Sequence, residues 1–102
     1  MPAASQSDPR RKPNLVTREL IVTGQDGLHA RPAADFVRLA LTFRSAIHIL
    51  LPGKRYRADR IMDVLLANLE HGHSFVLEAF GPDADDAIER LAGLPIFSEQ
   101  PA

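Results

Sequence analysis

A histidine and an arginine, His29 and Arg31, stand two residues apart where a helix is predicted to begin. The residues just before them, Gly24 to Gly27, have the composition of a turn. The apolar side chains after them recur at i, i+3, i+4 and i+7, the spacing of one helix face: Ala33, Phe36, Val37 and Ala40. His29 and Arg31 are therefore expected at the first turn of a helix, a place where an anionic group can be held.

The first turn of a helix favours anions because its backbone N–H groups have no partner within the helix and the helix dipole is positive there. An imidazole, with an ordinary pKa of about 6.5, is partly neutral near neutral pH and can accept a phosphoryl group. The amides of Ala30 and Arg31 and the Arg31 guanidinium would then stabilise the phosphoryl oxygens. A second interpretation stays open on these residues alone, since a single His-x-Arg pattern has low specificity. In it, His29 is only a polar residue at the start of a helix.

The segment from Gly27 to Ala33 resembles the phosphorylation-site motif of the HPr family. This family comprises the histidine-containing phosphocarrier proteins of the bacterial phosphoenolpyruvate-dependent sugar phosphotransferase system. The similarity extends from about residue 15 to residue 94 and includes the Gly53-Lys54 turn and the Ile61-Met62 pair. It implies that His29 accepts a phosphoryl group at Nδ1 from enzyme I and passes it to a histidine of an IIA-type protein. The chain would then be a phosphoryl carrier and not an independent catalyst.

The predicted second helix has more apolar residues than a stripe facing the core requires: Ile61, Met62, Val64, Leu65, Leu66, Ala67 and Leu69. The family resemblance assigns Ile61, Met62 and Leu65 to an exposed patch that contacts enzyme I and IIA-type partners. It assigns Val64 and Ala67 to the core. The alternative is a wider buried face covered by the C-terminal tail.

Arg60 occupies the position at which many relatives carry a serine that is phosphorylated by a regulatory kinase. The arginine has no hydroxyl to modify. We therefore expect either that this regulation is absent or that Arg60 supplies a permanent positive charge at the partner-binding surface.

Two other functions remain compatible with the sequence. One is a regulatory HPr-like carrier that controls nitrogen or carbon metabolism without sugar transport. The other is an interaction module that kept the fold and lost phosphorylation, although the intact pair His29 and Arg31 argues against it. The sequence identifies neither a sugar nor a downstream acceptor.

Composition argues against several other classes. The chain has 102 residues, a net charge of −1 and no cysteine, so one domain is expected, with no disulfide and no general attraction to nucleic acid or membranes. His71 and His73 have no evident third ligand beside them, so no metal site and no cofactor are expected. No apolar run approaches the roughly 20 residues of a membrane span, and the N-terminus does not resemble a signal peptide. We expect a cytoplasmic monomer.

The order of predicted elements is βαββαβα, which favours an α+β fold with three helices on one face of a four-stranded antiparallel sheet. The HPr resemblance implies the same open-faced sandwich. Residues 15–94 would form this domain, after a disordered N-terminal tail of residues 1–14 that lacks large apolar side chains. Residues 95–102 are expected to be a C-terminal tail, with Phe97 as its one candidate for contact with the domain.

The predicted helix boundaries follow from capping residues and breakers. The first helix is expected to end near Phe43. Asp59 is predicted to cap a second helix that runs to about Leu69, and Asp83 to cap a third helix that Gly93 ends.

Overall fold

The computed structural model describes residues 13–99, which contain five strands and three helices. In chain order these are β1 (Asn14–Val22), α1 (Ala30–Ala40), β2 (Ala46–Leu51), β3 (Lys54–Arg57), α2 (Ile61–Ala67), β4 (Ser74–Gly81), α3 (Ala84–Ala92) and β5 (Phe97–Glu99). The predicted N-terminal tail lies outside the described residues except for its last two positions, and Asn14 already belongs to β1.

The strands form one antiparallel sheet in the order β3-β2-β4-β1-β5. Side chains alternate between the two faces of each strand, and in β4 the buried ones include Phe75, Leu77 and Ala79. The three helices pack on this buried face, and the opposite face is open. The predicted α+β sandwich is confirmed.

Helices α1 and α3 are held to the sheet by apolar stripes at the spacing predicted from the sequence. The buried residues are Ala33, Phe36, Val37 and Ala40 in α1 and Ala84, Ala87, Ile88 and Leu91 in α3. Within residues 13–99, no helix has the length and apolar character that crossing a bilayer requires.

The sheet has five strands where four were predicted, because residues 97–99 form β5 instead of belonging to a tail. This strand pairs with β1 through Val22 opposite Phe97 and Leu20 opposite Glu99. The Phe97 ring is buried and meets the rings of Phe36 and Phe75 edge-on, with centroids 5.7 and 5.4 Å away. A three-residue strand is too short for its own periodicity to be recognised, so only this distant pairing defines it.

The predicted cap and end of α2 are wrong. Arg60, not Asp59, occupies the N-cap position of α2, and the Asp59 carboxylate instead accepts two hydrogen bonds from the Arg57 guanidinium, at 2.9 and 2.8 Å. That guanidinium lowers the pKa of Asp59. The α2 helix ends at Ala67, before the predicted Leu69, because Asn68 adopts the left-handed conformation that terminates helices.

Asp83 does occupy the N-cap position of α3, but its side chain does not cap the helix. Its carboxylate accepts hydrogen bonds from the backbone amides of Arg44 and Ser45, both at 2.9 Å, and from the Ser45 hydroxyl. Burial alone would raise the pKa of Asp83, but these hydrogen bonds outweigh burial and hold it below its usual value. They also fix the turn after α1, which ends at Ala40 and not near Phe43.

Replacing Phe97 by alanine is expected to lower the free energy of unfolding by about 3–5 kcal/mol, because a buried aromatic ring is lost and a cavity is left. Phe80→Ala is the matched control, since Phe80 lies on the open face with about half of its surface exposed. Urea unfolding of both variants tests this. Equal losses in the two variants would mean that Phe97 does not belong to the core.

Candidate functional site

His29 is the N-cap residue of α1 and is partly exposed. Its backbone is extended, with φ −129° and ψ 167°, and its side chain makes no capping hydrogen bond. The sequence therefore placed His29 correctly at the start of the helix. Because the ring has no capping role, it is available for other chemistry.

The first turn of α1 leaves two backbone donors available next to His29. Among residues 13–99, no acceptor is bonded to the amides of Ala30 and Arg31, and Pro32 has no N–H. The first hydrogen bond of the helix runs from the Ala33 amide to the His29 carbonyl, at 3.4 Å. The predicted pair of free amides is thus present at the positive end of the helix dipole.

Ala30 has a backbone conformation that the sequence did not predict. Its φ is +51°, in the left-handed region, which costs about 1 kcal/mol or more for a residue with a side chain. Alanine does not favour this conformation, so the sequence gives no signal of it. It turns the backbone sharply between His29 and the body of α1.

Arg31 is exposed, and within the described part of the chain no carboxylate forms an ion pair with it. Arg31 follows Ala30 directly and is two residues after His29 in the sequence. A cation without an acidic partner is available to bind an incoming anion, and the planar guanidinium suits phosphoryl oxygens.

The backbone just before His29 is packed tightly against the segment after α2. Leu28 is fully buried, and its amide donates to the Leu69 carbonyl at 2.7 Å. Gly27 has φ +75°, and a Cβ there would lie 2.7 Å from the Leu69 oxygen and 2.9 Å from Glu70 Cα. No residue with a side chain fits at position 27, so the glycine allows this close contact.

An exposed apolar surface lies on α2, and we call it the α2 patch: Ile61, Met62, Leu65 and Leu66. Met62 and Leu66 have 64% and 66% of their surface exposed, whereas Val64 and Ala67 are buried, as was predicted. Leu66 was not assigned to the patch from the sequence, although its spacing of four from Met62 places it on the same helix face. Whether partners contact this patch stays a prediction.

Beside the α2 patch, a shallow groove of about 240 Å³ separates the first and second helices. Ala34, Val37, Arg38 and Leu41 line it from α1 and the following turn, and Ile61 lines it from α2. Arg60, the N-cap residue of α2, is also exposed. The apolar surface therefore continues from α2 toward α1, the helix that begins at His29.

The other histidines have structural contacts. His73 Nδ1 accepts a hydrogen bond from the Glu70 amide at 3.1 Å, and His71 Nδ1 lies 3.3 Å from the Gly24 carbonyl oxygen. His48 lies on the open face of the sheet between Arg55 and Glu78, and burial, then Arg55, lowers its pKa. Among residues 13–99, no group of three or more metal-ligating side chains is found.

Together, the fold and the site define a class: small α+β sandwiches with a histidine at the start of the first helix. The family model described as "PTS HPr component phosphorylation site" matches residues 16–95. The chain is 36% identical to a phosphocarrier protein HPr of Buchnera aphidicola over 78 residues, which are 76% of this chain and 92% of that protein.

Comparison with solved structures points to the same family. The crystal structure of a phosphocarrier protein HPr from Bacillus anthracis superimposes with a TM-score of 0.74 at 36% identity, covering 76% of this chain and 93% of that one. The Bacillus subtilis catabolite repression containing protein Crh, described as a swapped, intertwined dimer, gives 0.61 at 38% identity, with coverage of 70% and 82%. The chain belongs to the HPr family, the phosphocarrier proteins of the phosphotransferase system.

Gly27→Ala is expected to destabilise the fold by about 2 kcal/mol or more, because the methyl group adds a clash with the Leu69 carbonyl to the strain of a positive φ. Gly53→Ala is the matched control. Its φ is +71°, but a Cβ there meets nothing within 4 Å. Chemical denaturation gives both values, and a loss no larger at position 27 than at 53 would contradict the packing described here.

Proposed function

We propose that His29 accepts a phosphoryl group at Nδ1 from enzyme I, which is charged by phosphoenolpyruvate, and passes it to a histidine of an IIA-type protein. The observation that carries this proposal is the position of His29. In a chain of the HPr family, it lies at the N-cap of α1 beside the two free amides of Ala30 and Arg31. Arg31 adds a cation that has no ion-pair partner among the described residues.

The transfer exchanges one phosphorus–nitrogen bond for another. The neutral Nδ1 of His29 attacks phosphorus as the bond to the histidine of phosphorylated enzyme I breaks, and the reverse exchange delivers the group to the acceptor. The amides of Ala30 and Arg31 and the Arg31 guanidinium stabilise the negative oxygens before and after transfer. A carrier must also release the group, so this stabilisation has to be moderate.

Each transfer takes place in a transient complex with a partner protein. The α2 patch supplies exposed apolar surface, and flexible Met62 suits recognition of more than one partner. Such an interface is expected to be small, near or below about 1,200 Å². Arg60 adds a fixed positive charge where many relatives carry a serine, so serine phosphorylation would not regulate this chain at that position.

A second candidate function is a regulatory carrier or an interaction module that controls nitrogen or carbon metabolism without sugar transport. The similarity of this chain to Crh, described as a catabolite repression containing protein, supports this second candidate. The sugar-transport carrier and the regulatory carrier differ in the acceptor, so transfer from the phosphorylated chain to a sugar-specific IIA domain, compared with a regulatory IIA-like protein, separates them. An interaction module that lost phosphorylation would take no label. In either case we propose a monomer acting in the cytoplasm.

Incubation with enzyme I and labelled phosphoenolpyruvate is expected to label the wild-type chain with an acid-labile, base-stable adduct. His29→Ala should take no label, because the proposed acceptor nitrogen is gone. His48→Ala is the control and should label like the wild type, because His48 lies on the open face of the sheet beside Arg55 and Glu78. Label that persists in His29→Ala, or that never forms on the wild type, would overturn the carrier function.

Arg31→Glu is expected to slow phosphoryl acceptance by about 100-fold, because a cation facing the transferring group becomes an anion. The free energy of unfolding should change by less than about 0.5 kcal/mol, since the side chain is exposed. Lys54→Glu, the same charge change at the exposed start of β3, is the control. Rapid-quench transfer rates measured with thermal melts test both parts, and equal rates for the two variants would remove Arg31 from the site.

Met62→Asp is expected to raise the apparent KM for enzyme I by about tenfold, because a charge would be buried at the proposed interface. Leu15→Asp is the matched control, since Leu15 is 62% exposed on the open face of the sheet and Met62 is 64% exposed. Steady-state phosphorylation at varied enzyme I concentrations measures both. The docking assignment fails if the two variants have the same KM.

A further inference from the structure

We propose that the C-terminal segment of residues 94–99, here named the strap, positions His29 by holding the loop that leads to it, chiefly through the backbone carbonyl of Ile96. The loop, residues 23–29, is named the site loop. This inference rests on the proposed role of His29 as phosphoryl acceptor. It assigns a function to a part of the chain that lies mostly beyond the family match, which ends at residue 95.

The backbone of the strap binds the site loop directly. The carbonyl oxygen of Ile96 accepts hydrogen bonds from the amides of Thr23 and Gly24, at 2.7 and 3.2 Å. These two residues come directly after β1 and begin the turn that leads to His29. The backbone of Thr23 and Gly24 is therefore fixed by Ile96, a residue far away in the sequence.

The side chain of Ile96 packs against the same point. A Cβ on Gly24 would lie 2.8 Å from Ile96 Cγ1 and 3.2 Å from Cδ1. Gly24 does not have a positive φ, so the backbone conformation at position 24 does not require glycine. The lack of a side chain at position 24 instead allows the loop and the strap to approach closely.

The strap is itself held in place by further contacts with the domain. Its β5 strand pairs with β1, and Phe97 meets the ring of Phe36, a residue of the helix that begins after His29. Leu94, Pro95 and Ile96 also border a cavity of about 120 Å³ together with Pro32 in the first turn of α1. The strap thus touches the chain both before and after His29.

The opposite side of the site loop is held by the segment after α2. The Leu28 amide binds the Leu69 carbonyl, and the Gly24 carbonyl lies 3.3 Å from His71 Nδ1. Gly24 is therefore held by the strap through its amide, and its carbonyl lies beside His71. A loop held from two sides keeps the His29 ring in one place, and a misplacement of about 1 Å can cost about 100-fold in rate.

The test uses the full-length chain with Gly24→Ala, Ile96→Ala and the double variant. The new methyl group in Gly24→Ala meets Ile96 and pushes the loop and the strap apart. Ile96→Ala removes the two side-chain atoms that the methyl group meets most closely, so the double variant relieves the clash. Gly93→Ala, just before the strap and not in contact with the site loop, is the matched control.

Phosphoryl acceptance from enzyme I is measured at a temperature at which circular dichroism shows every variant to be folded. We expect kcat of Gly24→Ala to fall by about tenfold or more with an unchanged KM, and the double variant to recover most of the loss. Gly93→Ala should keep the wild-type kcat. A purely structural contact would lower the melting temperature without this effect on kcat, and an unchanged kcat for folded Gly24→Ala would overturn the proposal.

The ring resonances of His29 in ¹H–¹⁵N spectra provide a readout that does not depend on transfer. They should shift in Gly24→Ala and return toward the wild-type positions in the double variant, whereas unmoved resonances would overturn the strap's role. If the wild-type chain takes no label from enzyme I, the proposed function fails, and the His29 resonances still decide whether the strap positions the ring.

Discussion

The close contact between the site loop and the segment after α2 is the constraint on which the site depends. Gly27 lies against the backbone of residues 69 and 70 at a distance that excludes any side chain, and buried Leu28 donates its amide to the Leu69 carbonyl. Because the backbone is fixed there, His29 falls at the N-cap of α1 with its ring unused for capping. The next residue, Ala30, has a left-handed backbone conformation.

The same arrangement explains how a small domain can both hold and release a phosphoryl group. The groups that would stabilise the charge are two backbone amides and one exposed guanidinium. Exposed groups are screened by water, so they bind an anion moderately. The apolar α2 patch lies on a different helix from His29, so the partner contacts proposed for it are separate from the proposed chemistry.

The fifth strand changes the edge of the sheet. Three residues of β1 are paired with β5 on the side away from β4, and Phe97 extends the core between α1 and the sheet. Arg18 of β1 forms ion pairs with Glu89 of α3 and Glu99 of β5, at 3.2 and 3.1 Å. These exposed pairs contribute little free energy, so the strand is held mainly by its backbone pairing and by the buried ring.

The sequence by itself determined the elements with clear periodicity, the α+β class and the position of His29 at a helix start, because these depend on local spacing. The exposure of Met62 was expected from the family resemblance and not from spacing. Tertiary structure alone decided the strand at residues 97–99, the left-handed Ala30 and the partners of Asp59 and Asp83. Each of these is set by contacts with other parts of the fold. The β5 strand forms because β1 offers an edge with which it can pair. The Asp83 carboxylate does not cap its own helix because it binds the nearby amides of Arg44 and Ser45. Short-range sequence patterns do not reveal such contacts, since the residues that form them approach one another only when the chain has folded.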